Sequence, residues 1–275
     1  MLHAEFPNVL WGFQMKKLIL ALTAVAAFTG SAVAADLPAR TYSKAPMIAP
    51  LPSWTGFYIF GGGGGGIWDA DTSTRVTGTG VPLSISQRQG GDGWFGTVGL
   101  GYDWQFNGPW VFGLLADGEF GSLKGTIQDP FANWTSSIKM QDAWAAGARV
   151  GYLVAPNVLS YVNGGYSGSH WSGTTLLGAF SGLPVGVHTN SFNRNGWFIG
   201  GGVENSLNIF GISSPGWFMK TEYRAAYYGR QNVSELFDVS NALVDRDIAF
   251  KPWVQTISTS LVYRFNWTGP VVAKY

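Results

Sequence analysis

The chain has no cysteine, few charges and three histidines, and past residue 34 it has no apolar run long enough for a spanning helix. Without cysteine there is neither disulfide nor thiolate–metal chemistry. Charged residues make up 12% of the 275, about half the roughly 25% of an average soluble domain. Mean hydropathy is nevertheless only just above zero, too low for a bundle of membrane helices. A helical span needs about 18 or more consecutive apolar residues, and none follows residue 34. Basic charge is not in excess either. Lys and Arg total 17 and Asp and Glu 16; Lys16, Lys17 and Glu5 lie within residues 1–34, which leaves 15 of each sign beyond them. A neutral chain without a basic stripe is not expected to bind nucleic acid.

What the chain has in quantity is aromatics, at 15%, and 39 glycines. Low charge, modest hydropathy and many aromatics together favour strands that each need only one apolar face, with aromatic girdles at both membrane interfaces. Trp217–Tyr228 is the clearest case. One parity gives Trp217, Met219, Thr221, Tyr223, Ala225 and Tyr227; the other gives Phe218, Lys220, Glu222, Arg224, Ala226 and Tyr228. Three consecutive charges on one face and an apolar opposite face match a period of two and no helical period.

Eight such strands are expected between Trp54 and Phe265. The first, 54–68, has an inward parity hidden by the glycine run Gly61–Gly66. The others are 92–106, 110–120, 139–154, 158–171, 196–207, 217–228 and 251–265, of which 158–171 alternates poorly. In the second, Trp94, Val98, Leu100 and Trp104 oppose Thr97 and Asp103; in the fourth, Trp144, Val150 and Tyr152 oppose Gln141 and Arg149. Tight turns at Asn107-Gly108-Pro109 and Ala155-Pro156-Asn157, and a longer one at 208–216, alternate with long polar segments at 69–91, 121–138, 172–195 and 231–250. Structureless loops of that length are uncommon in soluble domains and ordinary at the outer rim of an outer-membrane barrel. The expected fold is all-β: a closed antiparallel eight-stranded transmembrane β-barrel with short periplasmic turns and long extracellular loops.

Upstream, Met15-Lys16-Lys17, the apolar run Leu18–Phe28 and Ala32-Val33-Ala34 form a secretory signal with a small-residue cleavage site. Residues 1–14 precede that start as an extension, and the mature chain is expected to begin near Ala35. Residues 35–53, with Pro38, Pro46, Pro50 and Pro52, form a periplasmic leader, 54–265 the barrel and 266–275 a tail.

The inward parity collects Asp103, Asp117, Glu119, Arg149, Glu204, Lys220, Glu222, Arg224 and Arg264. An eight-stranded barrel is just wide enough for side chains to fill it, and unpaired charge there costs several kcal/mol. These residues are therefore expected to pair into a plug. The alternative is a narrow charged pore for small solutes. Asp117 and Glu119 share a strand face but lack a nearby His or Ser partner, so the chain reads as non-enzymatic. Gly61–Gly66 contains the dinucleotide glycine pattern without the helix or the Lys that phosphate binding needs. His170 and His188 have no ligand-spaced companions and read as loop residues, so no cofactor or metal is expected.

With the Pro-rich leader, Trp54-Thr55-Gly56-Phe57-Tyr58, Gly101-Tyr102-Asp103-Trp104-Gln105, Leu261-Val262-Tyr263-Arg264-Phe265 and the tail Gly269–Tyr275, the chain resembles the alphaproteobacterial outer-membrane immunogenic proteins. These are porin-family, opacity-like surface antigens related to the OmpA-type barrel. The resemblance implies a surface-exposed, non-enzymatic barrel in the outer membrane, in contact with its lipid and lipopolysaccharide. It also implies recognition by the barrel insertion machinery. Such barrels usually end in an aromatic that this machinery reads; here Tyr263 and Phe265 close the last strand while ten residues follow. Partners of the extracellular loops are expected but not identified by any motif. A soluble lipocalin-like carrier would need the opposite arrangement, with charge outside and an apolar interior.

The signal reading carries a direct test. Amino-terminal sequencing of protein from outer-membrane fractions is expected to return Ala35; retention of Met1 or Met15 would overturn it.

Overall fold

The computed structural model describes residues 53–209 and 212–265; the signal, most of the leader and the tail lie outside them. Eleven strands occupy this stretch: β1 Gly56–Val76, β2 Gln87–Phe106, β3 Trp110–Asp129, β4 Trp134–Ala155, β5 Val158–Trp171, β6 Thr174–Gly178, β7 Pro184–Thr189, β8 Phe192–Ile209, β9 Ile212–Tyr228, β10 Gln231–Phe237 and β11 Leu243–Arg264. All pairings are antiparallel. The order β1-β2-β3-β4-β5-β8-β9-β11 closes on itself, because β11 pairs with β1 from Tyr58↔Arg264 to Val76↔Arg246. No edge remains in this eight-strand ring, the one sheet arrangement that can satisfy every backbone group in hydrocarbon.

Side chains sort across the wall as alternation requires. Ile59, Trp94, Val98, Leu100, Val162 and Ile199 are exposed on the exterior, where a belt of large apolar groups is stable only against lipid. Aromatics cluster at both margins of the belt. Trp104, Trp110 and Tyr152 lie near the short turns, with Trp110 and Tyr152 ring centroids 5.2 Å apart. Trp144, Tyr166 and Trp197 lie toward the long hairpins, with Trp144 and Tyr166 5.8 Å apart. In β1 the hidden parity resolves with Tyr58 and Phe60 inside. Their rings lie over Gly101 and Gly99 of the neighbouring strand, where any Cβ would collide with them. Asn107 and Gly108 both take positive φ at the first short turn, a conformation Asn tolerates and Gly favours.

Several expectations are corrected. Most strands run past their predicted ends, because pairing continues well beyond the aromatic margin. The turn expected at 208–216 is tighter, with Asn208↔Ser213 and Ile209↔Ile212 still paired. Strand β5 is continuous from Val158 to Trp171 despite its weak alternation. A bulge beside Gln141 shifts the parity of β4, so Met140 rather than Gln141 is buried. The largest correction concerns the long polar segments. They are mostly β-structure, leaving only 77–86, 130–133, 179–183 and 238–242 as hairpin tips.

Beyond Trp171 the wall changes strands. β4 pairs with β6 through Trp134↔Gly178, β6 with β7 through Thr174↔Thr189, β7 with β10 through Phe237↔Val187, and β10 with β11 through Gln231↔Phe250. The three inserted strands replace β5, β8 and β9 and continue the barrel outward as a collar. Its interior is apolar: Ile127, Ile138, Leu176, Val187, Val233 and Ile248 are buried. At its far end a polar group is buried as well. Asp129 accepts hydrogen bonds from Thr74 and from the amides of Phe131 and Ala132, the amides at 2.9 and 3.2 Å. Arg246 stands 3.3 Å from Glu235 and 3.5 Å from Asp129.

Two tests follow from this architecture. Tyr223 lies on the exterior of β9, whereas Lys220 lies inside. Tyr223→Arg, between the aromatic girdles, is expected to cost about 2–4 kcal/mol of folding in bilayer vesicles. Urea titration of this variant beside Lys220→Gln checks it; wild-type stability of Tyr223→Arg would reverse inside and outside. The second test concerns Glu235. Burial, and then the Asp129 carboxylate, push its carboxyl up to about 8. Its folded pKa lies above the ordinary value of 4.5, so folding takes up a proton between the two and stability falls as pH rises through that window. Thermal unfolding of the collar, followed by near-ultraviolet circular dichroism, is expected to shift downward from pH 5 to about pH 9. Glu235→Gln should flatten that slope.

Candidate functional site in the barrel interior

The inward charges assemble into two layers. The layer nearer the short turns joins four strands. Asp103 on β2 and Arg149 on β4 flank Gly113 of β3, through the registers Asp103↔Gly113 and Gly113↔Arg149. A Cβ at Gly113 would strike the Asp103 carboxylate, so the glycine is what lets the Arg149 side chain cross β3. Arg149 then grips Asp103 with two nitrogens, Nε at 2.9 Å, and gives Nη1 to Glu204 at 3.1 Å. Arg264 repeats the pattern with Nε to Glu204 at 2.7 Å and Nη1 to Asp103 at 2.8 Å. Each arginine bridges both acids, and the tetrad carries no net charge. Bidentate guanidinium–carboxylate pairs are the strong, geometrically specific kind.

Aromatic rings close around this tetrad. The Arg149 guanidinium lies 4.4 Å from the Tyr58 ring centre and 5.0 Å from that of Tyr161. Arg264 lies 4.3 Å from Trp54. Sequence reasoning missed these aromatics. Tyr58 and Phe60 alternate with Phe57 and Ile59, so both faces of β1 read alike. The useful signal was on the neighbour, where Gly99 and Gly101 leave room for the two rings.

The second layer spans the lumen from β3 to β9. Arg224 donates to both oxygens of Asp117, at 2.7 and 2.8 Å, and to Glu222 at 2.8 Å. Tyr161 donates its hydroxyl to Glu222 at 2.7 Å, and Lys220 Nζ lies 3.6 Å from the same carboxylate. Lys220 also sits 3.3 Å above the Phe60 ring centre. Glu119 differs from the others. Its nearest cation is Arg224 at 3.7 Å, beside a small cavity shared with Trp144, Ser167 and Tyr228. This layer holds three carboxylates and two cations, a formal excess of one negative charge.

All nine sequence-selected charges are thus buried inside the barrel, split into groups of four and five. Above them the lumen meets an aromatic cluster: Trp171 stacks edge-on to Trp68 and Phe250, with centroids 5.2 and 5.0 Å apart. Tyr263 and Phe265 lie outside this interior, at the rim that carries the short turns. The Phe265 amide donates to Phe57 O at 2.9 Å, and its ring is 5.1 Å from that of Tyr263. His188 is a strand residue of β7, 2.8 Å from Asp238, and His170 lies in β5 beside Asn193 at 2.6 Å. Neither histidine belongs to the interior.

No protein-family model matches the chain. Among characterised proteins it is 30% identical over 265 residues to the 31 kDa outer-membrane immunogenic protein of Brucella melitensis biotype 1, covering 91% of this chain and all of the relative. The protein of the same name from Brucella suis biovar 1 matches with the same identity and coverage. Similar solved structures include the outer membrane protein OprG from Pseudomonas aeruginosa, at 12% identity and TM-score 0.46, covering 77% of this chain and 97% of OprG. Neisserial surface protein A matches at 13% identity and TM-score 0.36, over 77% of this chain and 98% of that one. The chain belongs to the family of these outer-membrane immunogenic proteins, as an antiparallel β-barrel of the bacterial outer membrane.

Proposed function

We propose that the protein is a non-enzymatic, non-conducting surface barrel, whose lumen is plugged by its own side chains and whose collar presents a rigid platform outside the cell. The observation that carries this reading is the succession of filled layers along one axis. A neutral tetrad, a second ion-pair layer and an aromatic cluster follow one another, and any one of them would obstruct an ion path. Asp117, half of the pair that could suggest acid–base chemistry, is held at both oxygens by Arg224. That leaves no free carboxylate pair to work on a substrate.

The exterior belt is read as contacting outer-membrane lipid and lipopolysaccharide. Tyr263, on the last strand, and Phe265, directly after its end, are read as the signal for the barrel insertion machinery at the periplasmic rim. One observation favours the alternative of a small-solute porin: the Glu119 carboxylate accepts no hydrogen bond among the described residues and borders a cavity, so the second layer is less tightly locked than the first.

Planar-bilayer recording separates the readings. The intact protein is expected to give no reproducible conductance steps, and regular steps would establish the pore. Asp103→Ala is the companion measurement. It strands Arg149 and Arg264 on Glu204 alone, and loss of one partner from a buried charge network costs about 3–5 kcal/mol. Its urea midpoint should fall accordingly, with occasional openings appearing where the tetrad has loosened.

A further inference from the structure

The far end of the collar is crossed by a pair of acids. The collar wall runs in the order β1-β2-β3-β4-β6-β7-β10-β11, so β3 and β10 stand opposite each other, with three strands between them on either side. Asp129 on β3 and Glu235 on β10 nevertheless meet across the bore. Both are fully buried, both approach the guanidinium of Arg246, and their carboxyl groups lie within hydrogen-bonding range of each other. Arg246 is itself held over the Trp134 ring, 4.7 Å from its centre.

Neither charge nor donors balance at this site. Two carboxylates share one guanidinium, which leaves one negative charge uncompensated in a place closed to water, a strongly unfavourable state. Asp129 Oδ1 is occupied by Thr74 and by the amides of Phe131 and Ala132. Asp129 Oδ2 and Glu235 Oε1 are buried and have no hydrogen-bond donor among the described residues. The charged groups around them are engaged elsewhere. Arg75 on β1 donates to Gly80 O at 3.0 Å, and Asp247 on β11 accepts from Thr77 at 3.0 Å. His188 on β7 pairs with Asp238 at 2.8 Å, and Asp245 is exposed. One proton answers both deficits, because a protonated carboxyl loses its charge and gains a donor.

We propose that a single proton, carried on Glu235 Oε1 and donated to Asp129 Oδ2, latches β10 to β3 across the mouth of the collar. Its loss to water in alkaline medium releases the outer hairpins while the barrel below stays folded. The Glu235 carboxyl is pushed up to about 8, by burial first and then by Asp129. The latch is therefore closed at neutral pH and opens as pH rises through that value. Once both acids are ionised they repel across the bore, and each is tied to a hairpin that has to follow it. Asp129 caps the 130–133 tip through its two amides. Glu235 stands at a register shift in the β10–β11 ladder, between Ser234 and Leu236, so the strand is least tightly held to β11 where the acid projects. The latch adds regulation to the collar and does not depend on whether the lumen conducts.

The test uses the full chain in nanodiscs. It contains no cysteine, so Ala132→Cys and Val239→Cys place one spin label on each of the two hairpin tips. Pulsed dipolar spectroscopy is expected to give a narrow distance distribution at about pH 6 and a longer, broader one at about pH 9.5. Adding Glu235→Gln supplies an uncharged donor in place of the protonated acid, and should keep the narrow distribution at both pH values. Asp129→Asn, which retains an oxygen for the tip amides, should do the same. Unchanged heat-modifiable gel migration at the higher pH would establish that the barrel itself stays folded. A distance that ignores pH would overturn the proposal, as would the same broadening in Glu235→Gln. Opening by a divalent-metal chelator at about pH 6 would overturn it too, by assigning the two free oxygens to a cation in place of a proton. None of these outcomes bears on planar-bilayer conductance, so failure here and failure of the sealed-barrel reading are distinguishable.

Discussion

A backbone amide or carbonyl inside hydrocarbon has no water to turn to, and leaving one unpaired costs several kcal/mol. The long antiparallel seam between β1 and β11 is therefore the contact on which the rest depends. It joins the first strand to the last across almost the whole described chain, and it converts an open sheet into a ring without edges. The exterior then has to be apolar, and alternation sends every second residue into a narrow lumen. The charges and aromatics gathered there follow from that closure. Their burial is imposed by the wall before any particular pairing is chosen.

Once enclosed, the interior meets its own electrostatic requirement. Two arginines and two carboxylates can cancel completely, and Arg149, Arg264, Asp103 and Glu204 do so with every acid touching both bases. The space for this arrangement comes from glycine. Gly113 lets one side chain reach past β3, and Gly99 and Gly101 accept the rings of Phe60 and Tyr58. The glycine content of the chain, which in a soluble sheet would weaken the strands, here sets how closely large residues can interlock inside a small barrel.

The collar solves a different problem with the same means. Strands β5, β8 and β9 end near the membrane, which would leave β4 and β11 with free edges above it. Short strands from the intervening hairpins, β6, β7 and β10, pair along those edges and bury Leu176, Val187 and Val233 between them. An exposed edge is a liability for uncontrolled pairing, and the collar covers it with segments of the same chain. The buried Asp129 and Glu235, with the partly buried Arg246 beside them, sit at the far end of this outer ring.

Much of this was legible in the order of residues. Period-two alternation, as in Trp217–Tyr228, follows from the geometry of a strand between lipid and lumen, so the eight strands of the ring, its closure and the inward position of Lys220, Glu222 and Arg224 could be read without coordinates. The alternation of short turns with long polar segments marked which end of the barrel carries tight turns and which carries long hairpins. Pairing across the lumen could not be read. That Arg149 and Arg264 meet Asp103 and Arg224 meets Asp117 depends on register around a closed ring, where charged residues as many as 161 apart become partners. The polar segments misled for a related reason. Their Gly, Ser, Thr and Asn content reads as loop, yet strands such as Gln231–Phe237 gain order from partners elsewhere in the chain. Local sequence determined which face of each strand is apolar, because that depends on one residue and its immediate alternates. Only the tertiary structure decided which charges cancel and which segments become strands, because those outcomes belong to contacts that exist only after the barrel has closed.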